Sequence, residues 1–217
     1  MVSKPKAAPK LVLRGSSKIG KNVYHTSLTA GASCPGETEF CGKTCYAKRF
    51  QRRYSNSGAA YARNLTLLET ESHAYELKLL AEVAALPYGS LFRFHVAGDI
   101  YDEAHAETIG AVVDSRPDIM FWLYTRSWDV DMSMTGAVSW LSRKPNLKVW
   151  YSTDDDNVER LPRIPLLEAR IFPDEQTARA EGYAVCPEQL ERQPDCETCG
   201  LCFTIKKQDF RLAFIEH

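Results

Sequence analysis

Apolar residues recur along this chain in two rhythms, and their alternation lays out a series of strands and helices. Tyr61, Leu65, Leu68, Tyr75, Leu79, Val83 and Leu86 fall on one face at steps of three and four, with Glu69, Glu71, Glu76, Lys78 and Glu82 elsewhere. That is the helical period, and it predicts one long packing helix over 58–86, capped by Ser57 and ended by Pro87 and Gly89. Short runs of period two predict strands over 22–28, 91–97, 120–124 and 147–151, with helices over 103–115 and 130–142 between them. Strand, long helix, strand, helix, strand, helix, strand is the pattern of parallel βα units, so the fold class is α/β.

After residue 156 the pattern loosens, and 169–172, 183–185 and 211–215 read as short additional strands. The chain therefore divides into a basic flexible tail over 1–20, a βα core over 21–156 that carries a loop at 30–47, and a completing segment over 157–217. No internal repeat or low-complexity tract interrupts it.

Polar residues collect where the strands end. In the run 91–97, Phe92, Phe94 and Val96 point one way while Arg93, His95 and Ala97 point the other, which places an arginine and a histidine in the interior. Asp99, Arg126, Ser152 and Asp154 follow the C-terminal ends of successive strands, the rim on which parallel barrels build their sites. Each of these alone also reads as a helix cap or turn residue; together with Arg93 and His95 they predict a pocket. His25 and His73 read as packing or surface residues, and His105 and His217 as exposed ones.

Composition narrows the class. A hydrophobic content of 44% fits a globular protein, and no stretch approaches the roughly 18 apolar residues of a membrane span. Met1-Val2-Ser3-Lys4 opens no signal-peptide core, so the expected compartment is the cytoplasm, where thiols stay reduced. Residues 1–53 hold 11 Lys/Arg against 2 acids, while the remainder holds 16 against 26. Such a basic third faces an anion or is simply a solvated face. Lys43, Lys48, Arg49, Arg52 and Arg53, interleaved with Tyr46, Phe50 and Tyr54, would suit nucleic-acid phosphates and bases; the plainer reading is a solvated loop and helix start.

The sharpest chemistry lies in the cysteines. All seven fall in two runs, Cys34, Cys41 and Cys45 in one and Cys186, Cys196, Cys199 and Cys202 in the other. An odd count in a reducing compartment argues against a disulfide framework and for metal. Structural zinc commonly takes paired C-x2-C knuckles. Here the second run has C-x2-C-x2-C with Cys186-Pro187 upstream, equal steps like those that deliver thiolates to separate irons of a cubane. The first run has three thiols and no obvious fourth, which would leave one iron open to a small ligand or substrate unless a cysteine of the second run completes it. Zinc remains the alternative metal, and a zinc-stabilised nucleic-acid-binding module the alternative function.

The loop from Cys34 to Cys45-Tyr46-Ala47, placed after a first strand, resembles the cluster loop of radical S-adenosylmethionine (radical SAM) enzymes, whose fold is a full or partial (β/α) barrel. Its spacing is C-x6-C-x3-C where that superfamily has C-x3-C-x2-C, and Gly98-Asp99 stands where a Gly-Gly-Glu-type strand end holds the methionine amine. Ser33-Cys34-Pro35-Gly36, Cys45-Tyr46-Ala47, the segment His95 to Asp99, Trp122-Leu123-Tyr124-Thr125-Arg126 and the terminal cysteine run are together similar to the phage-encoded gene 88 protein family, over about residues 28–203. The resemblance implies a partial TIM-type barrel with a cysteine-rich C-terminal extension, one or two 4Fe-4S clusters and work in a bacterial host's cytoplasm. It implies no known reaction. A redox or small-molecule role at an open iron is the expectation; an active radical SAM enzyme, with Asp99 meeting an amine and Arg126 a carboxylate of S-adenosylmethionine, is the less favoured extension. The partner, small molecule or redox protein, stays open, and no membrane is expected.

Overall fold

The computed structural model describes residues 9–216. Its strands are β1 (Leu13–Arg14), β2 (Val23–Thr26), β3 (Leu91–Phe94), β4 (Met120–Thr125), β5 (Leu147–Thr153), β6 (Leu167–Phe172), β7 (Ala184–Val185) and β8 (Phe210–Ile215). The helices are α1 (Glu39–Thr44), α2 (Tyr46–Arg53), α3 (Ser55–Thr70), α4 (Ser72–Ala84), α5 (Glu103–Ser115), α6 (Met132–Ser142), α7 (Glu175–Ala180), α8 (Cys196–Cys199) and α9 (Leu201–Thr204).

All eight strands join one sheet in the order β1-β2-β3-β4-β5-β6-β8-β7, parallel except for the β1–β2 pair. The α/β class holds. The sheet is open, with β1 and β7 as its edges, so the barrel geometry is not closed.

Strand alternation divides the sheet into two faces. Phe92, Phe94, Phe121, Leu123, Val149 and Tyr151 point into the main core, where Leu65, Leu68, Tyr75, Leu79, Val83, Ile109, Val113 and Val138 of α3 to α6 meet them. Burying one such side chain contributes about 1.5–3 kcal/mol, so this layer carries much of the fold. On the opposite face lie Arg93, Trp122, Tyr124 and Trp150, covered by Ile19, by Cys186 and by the short helices α8 and α9, which bring Cys196, Cys202 and Phe203.

Four expectations need correction. The long helix is two helices, broken at Glu71, whose φ of -145° and ψ of 57° leave helical space. The loop 30–47 contains α1 and the start of α2. The tail is structured within the described residues: Leu11 and Val12 are buried and donate their backbone N–H groups to Glu82 at 2.9 and 2.8 Å, and β1 follows; residues 1–8 lie outside the described residues. Strand β3 stops at Phe94, because His95 takes a φ of 60°, a left-handed conformation that reverses the alternation.

Candidate functional site

The first cysteine run is seated on the strand ends by close backbone packing. Asp99 donates its N–H to the Ser33 carbonyl at 3.2 Å, and a Cβ on Gly98 (φ 83°) would lie 2.5 Å from Ser33 Oγ. A Cβ on Gly36 would lie 2.2 Å from the Arg126 carbonyl oxygen, so only glycine lets the loop approach β4 this closely. Thr38 then caps α1, accepting from the Cys41 N–H at 3.0 Å while donating its hydroxyl to Asp154 Oδ2 at 2.6 Å. Asp156 Oδ2 accepts from the Phe40 N–H at 2.9 Å. Two carboxylates beyond β5 therefore fix the start of the helix that carries Cys41.

Arg126 and Asp154 form a buried ion pair, with Nη2 2.9 Å and Nε 3.2 Å from Asp154 Oδ2. Asp99 is likewise engaged: its carboxylate accepts from the backbone N–H of Ile100 at 2.7 Å and of Arg126 at 2.8 Å, bracing β3 against β4. Burial pushes its pKa up against these hydrogen bonds. Asp99, Arg126 and Asp154 thus position the loop.

The second run closes the other side. Cys186 follows β7 and donates its N–H to the Ala213 carbonyl at 2.9 Å, while the backbone N–H groups of Glu188 and Gln189 face its sulfur. The Cys196 N–H bonds to the Lys18 carbonyl at 3.0 Å, and Glu197 accepts from the Asn22 N–H and Nδ2 at 3.1 and 2.9 Å. Phe203 packs on Trp122 at a ring separation of 4.8 Å, and Trp150 Nε1 donates to the Cys202 carbonyl at 2.9 Å. These contacts press α8 and α9 onto the polar face of the sheet.

Between the two runs lies a cavity of about 240 Å³. Cys34, Cys41, Cys45, Cys186, Cys196 and Cys202 line it together with Arg93, Asp99, Arg126, Ser152, Tyr46 and Tyr124. All seven cysteines are free thiols. Burial is the main cause that pushes Cys34 and Cys202 up to about 12 and Cys41 and Cys196 up to about 11. Cys41 and Cys45 act on Cys34, and Cys186 and Cys196 on Cys202, so the thiols form two neighbouring sets. Among the described residues, no three His, Cys, Asp or Glu side chains converge as tightly as a single ion demands.

The family model of gene product 88 matches residues 4–208, a span that includes both cysteine runs. This chain belongs to the gene product 88 family. It is 29% identical over 201 residues to the gene 88 protein of Mycobacterium phage L5, covering 79% of this chain and 78% of that protein. It is 30% identical over 200 residues to the gene 88 protein of Mycobacterium phage D29, covering 82% and 80%. No solved structure matches the chain.

In this gene product 88 member the remaining expected residues divide. Ser152 lines the cavity. His95 borders it too, with its φ of 60° setting the imidazole 5.1 Å from the ring of His105 on the helix layer, and Val96 joins the lining. His105, expected at the surface, is fully buried; His217 lies outside the described residues. Lys43 pairs with Glu39 and Lys48 with Glu37. Arg49 reaches the cavity mouth, and Arg52 and Arg53 are exposed on α2, without a carboxylate at ion-pair distance among the described residues. Trp122 and Tyr124, which carry the family resemblance alone, are not expected as cavity residues from the sequence, although alternation along β4 puts them on the face that Arg93 shares, with Arg93 in register with Trp122.

Proposed function

We propose that this chain is an iron–sulfur protein that holds one or two 4Fe-4S clusters between its two cysteine runs. The observation that carries the reading is that residues more than 140 positions apart deliver six thiols to one cavity. The donor chemistry fits: thiolates suit iron–sulfur clusters, and a sealed arginine nitrogen stands nearby without an acceptor. A zinc-stabilised nucleic-acid module is the weaker alternative, because the second run has three thiols at equal C-x2-C-x2-C steps rather than paired knuckles.

Cys34, Cys41 and Cys45 would hold one cluster and Cys186, Cys196, Cys199 and Cys202 a second. Bound there, a cluster supplies one-electron chemistry and, with three cysteine ligands, an iron site open to a small molecule. The chain itself contributes a closed, cation-bearing wall, strand ends that hold the first loop, and a second run that shields the cavity. Thiols with raised pKa values must lose their protons to bind, so loading releases protons. Six parallel strands in sequential order, with the thiol loop after the first, support an arc of a radical-SAM-like partial barrel. S-adenosylmethionine as the small molecule is less favoured, since Asp99 and Arg126 already have partners.

Anaerobic purification and reconstitution test this. A brown protein with iron and sulfide near four or eight per chain is expected, with Cys34→Ser and Cys196→Ser each lowering the content. A colourless protein that binds zinc stoichiometrically, or none, would overturn the reading. Addition of S-adenosylmethionine should leave the reduced-cluster EPR spectrum unchanged and give no 5'-deoxyadenosine.

A further inference from the structure

Among the charged groups around the cavity, Arg93 stands apart. Its Nε is sealed from solvent, and no nitrogen of its guanidinium has a hydrogen-bond acceptor or a carboxylate at ion-pair distance among the described residues. Its one close contact of that kind is the face of Tyr124, with the guanidinium carbon 5.1 Å from the ring centre, and its terminal nitrogens open on the cavity. Holding a charge away from water without a counter-charge is costly, and the carboxylates within reach are already taken. Glu37 pairs with Lys48, Glu188 with Lys18 and Asp154 with Arg126, while Asp99 accepts from the backbone N–H groups of Ile100 and Arg126. Glu216 also borders the cavity but is exposed, just beyond β8. The wall has a second character. Ala169 and Ile171 of β6 and Phe214 and Ile215 of β8 line the same space, on strands that supply no cysteine. An inorganic cluster has no use for such an apolar wall, whereas a carbon skeleton does.

Resting on the iron–sulfur reading, we propose that the small molecule received at the open iron is an organic anion, with its carboxylate or phosphate on Arg93 and its carbon chain along this apolar wall. Both head groups present paired oxygens to the two terminal nitrogens of a guanidinium, whose planar fork fixes their direction as well as their charge. Arg49, at the cavity mouth and without a carboxylate partner, adds a second cation on the way in.

The full-length protein, reconstituted anaerobically, is titrated by calorimetry with butyrate, butyl phosphate and butyramide, which share a chain and differ in head group. One of the two anions should bind at least about tenfold more tightly than butyramide, and the tighter anion names the head group. R93Q should lose at least about tenfold of that affinity at unchanged iron content, and R93K should recover part of it. Isotope-labelled ligand should couple to the reduced cluster in electron–nuclear double resonance. Butyramide binding as tightly as the anions, anion affinity unchanged in R93Q, or bound anion with no coupling to the cluster would each overturn the inference. Loss of iron from R93Q would overturn it too, by making Arg93 the counter-charge of a cluster. The comparison of anions with butyramide on the wild-type protein needs no variant. Absence of iron from the wild-type chain would instead sink the underlying iron–sulfur reading, and anion binding by that iron-free chain would still decide the site at Arg93.

Discussion

At the scale of single residues, the buried histidines make the sharpest statement about pH. Desolvation is the leading cause that lowers His25 to about 4 and His105 to about 3, and His95 is also lowered by burial and by its neighbour His105. A histidine held neutral in the fold but free to protonate when unfolded stabilises fully above its unfolded pKa of about 6.5 and loses that contribution as the pH falls towards its folded value. Between pH 7 and 5 His25 and His105 therefore each cost about 2 kcal/mol, at about 1.4 kcal/mol per pH unit below 6.5. Asp99, raised by burial, works in the opposite sense and trims the sum. Urea midpoints of the metal-free protein should fall steeply over this interval; a flat profile would show that these imidazoles are hydrated or already charged. The sequence flagged His95 as interior through the alternation of residues 91–97, yet its direction came out reversed. A single left-handed residue exchanges the two faces of everything after it, and a period-two pattern contains no sign of where such a turn will fall.

At the scale of elements, Arg116 ends α4 from outside the helix. Its Nη1 donates to the carbonyls of Val83, Ala84 and Leu86 at 2.8, 3.2 and 3.1 Å, its Nη2 to that of Pro87 at 3.2 Å, and Asp118 clasps the guanidinium. It satisfies the carbonyls that a helix end leaves open and sets its charge at the negative end of the dipole. Arg116→Ala should cost about 2–3 kcal/mol, read as a lower denaturant midpoint with an unchanged m-value. Arg116→Lys should recover only part of it, because one ammonium cannot span this fan of acceptors. Periodicity revealed that residues 58–86 are helical because they bury a continuous stripe. It hid the break at Glu71, since α3 and α4 both turn the same stripe to the core. Helices α1 and α2 were illegible for another reason: α1 buries no side chain and α2 only Ala47. Helix α1 forms through the Thr38 cap and the carboxylates after β5, contacts made across more than 110 residues.

At the scale of the molecule, the cysteine spacing revealed the grouping of thiols and the strand ends revealed the rim, but the cover on the far face came from residues 186–215, where short strands and turns carry weak patterns. Loading should therefore report on the whole sheet. The thiol loop after β2 and the run between β7 and β8 lie at opposite ends of the strand order, so iron bound by both sets would tie the sheet together. Differential scanning under anaerobic conditions should show a melting temperature several degrees above that of the metal-free chain, by mass action on the folded state. Equal melting temperatures at full iron content would mean that the sites form independently of the sheet. Strand β7 reaches the sheet solely through β8, which lies later in the chain and pairs with β6 on its other side. During synthesis, then, the backbone partner of Cys186, the Ala213 carbonyl, and the strand that seats β7 arrive only once residues 210–215 have emerged. On the iron–sulfur reading, cluster insertion at that end of the sheet would follow the pairing of β8, and a nascent chain interrupted before β8 would leave Cys186 unseated.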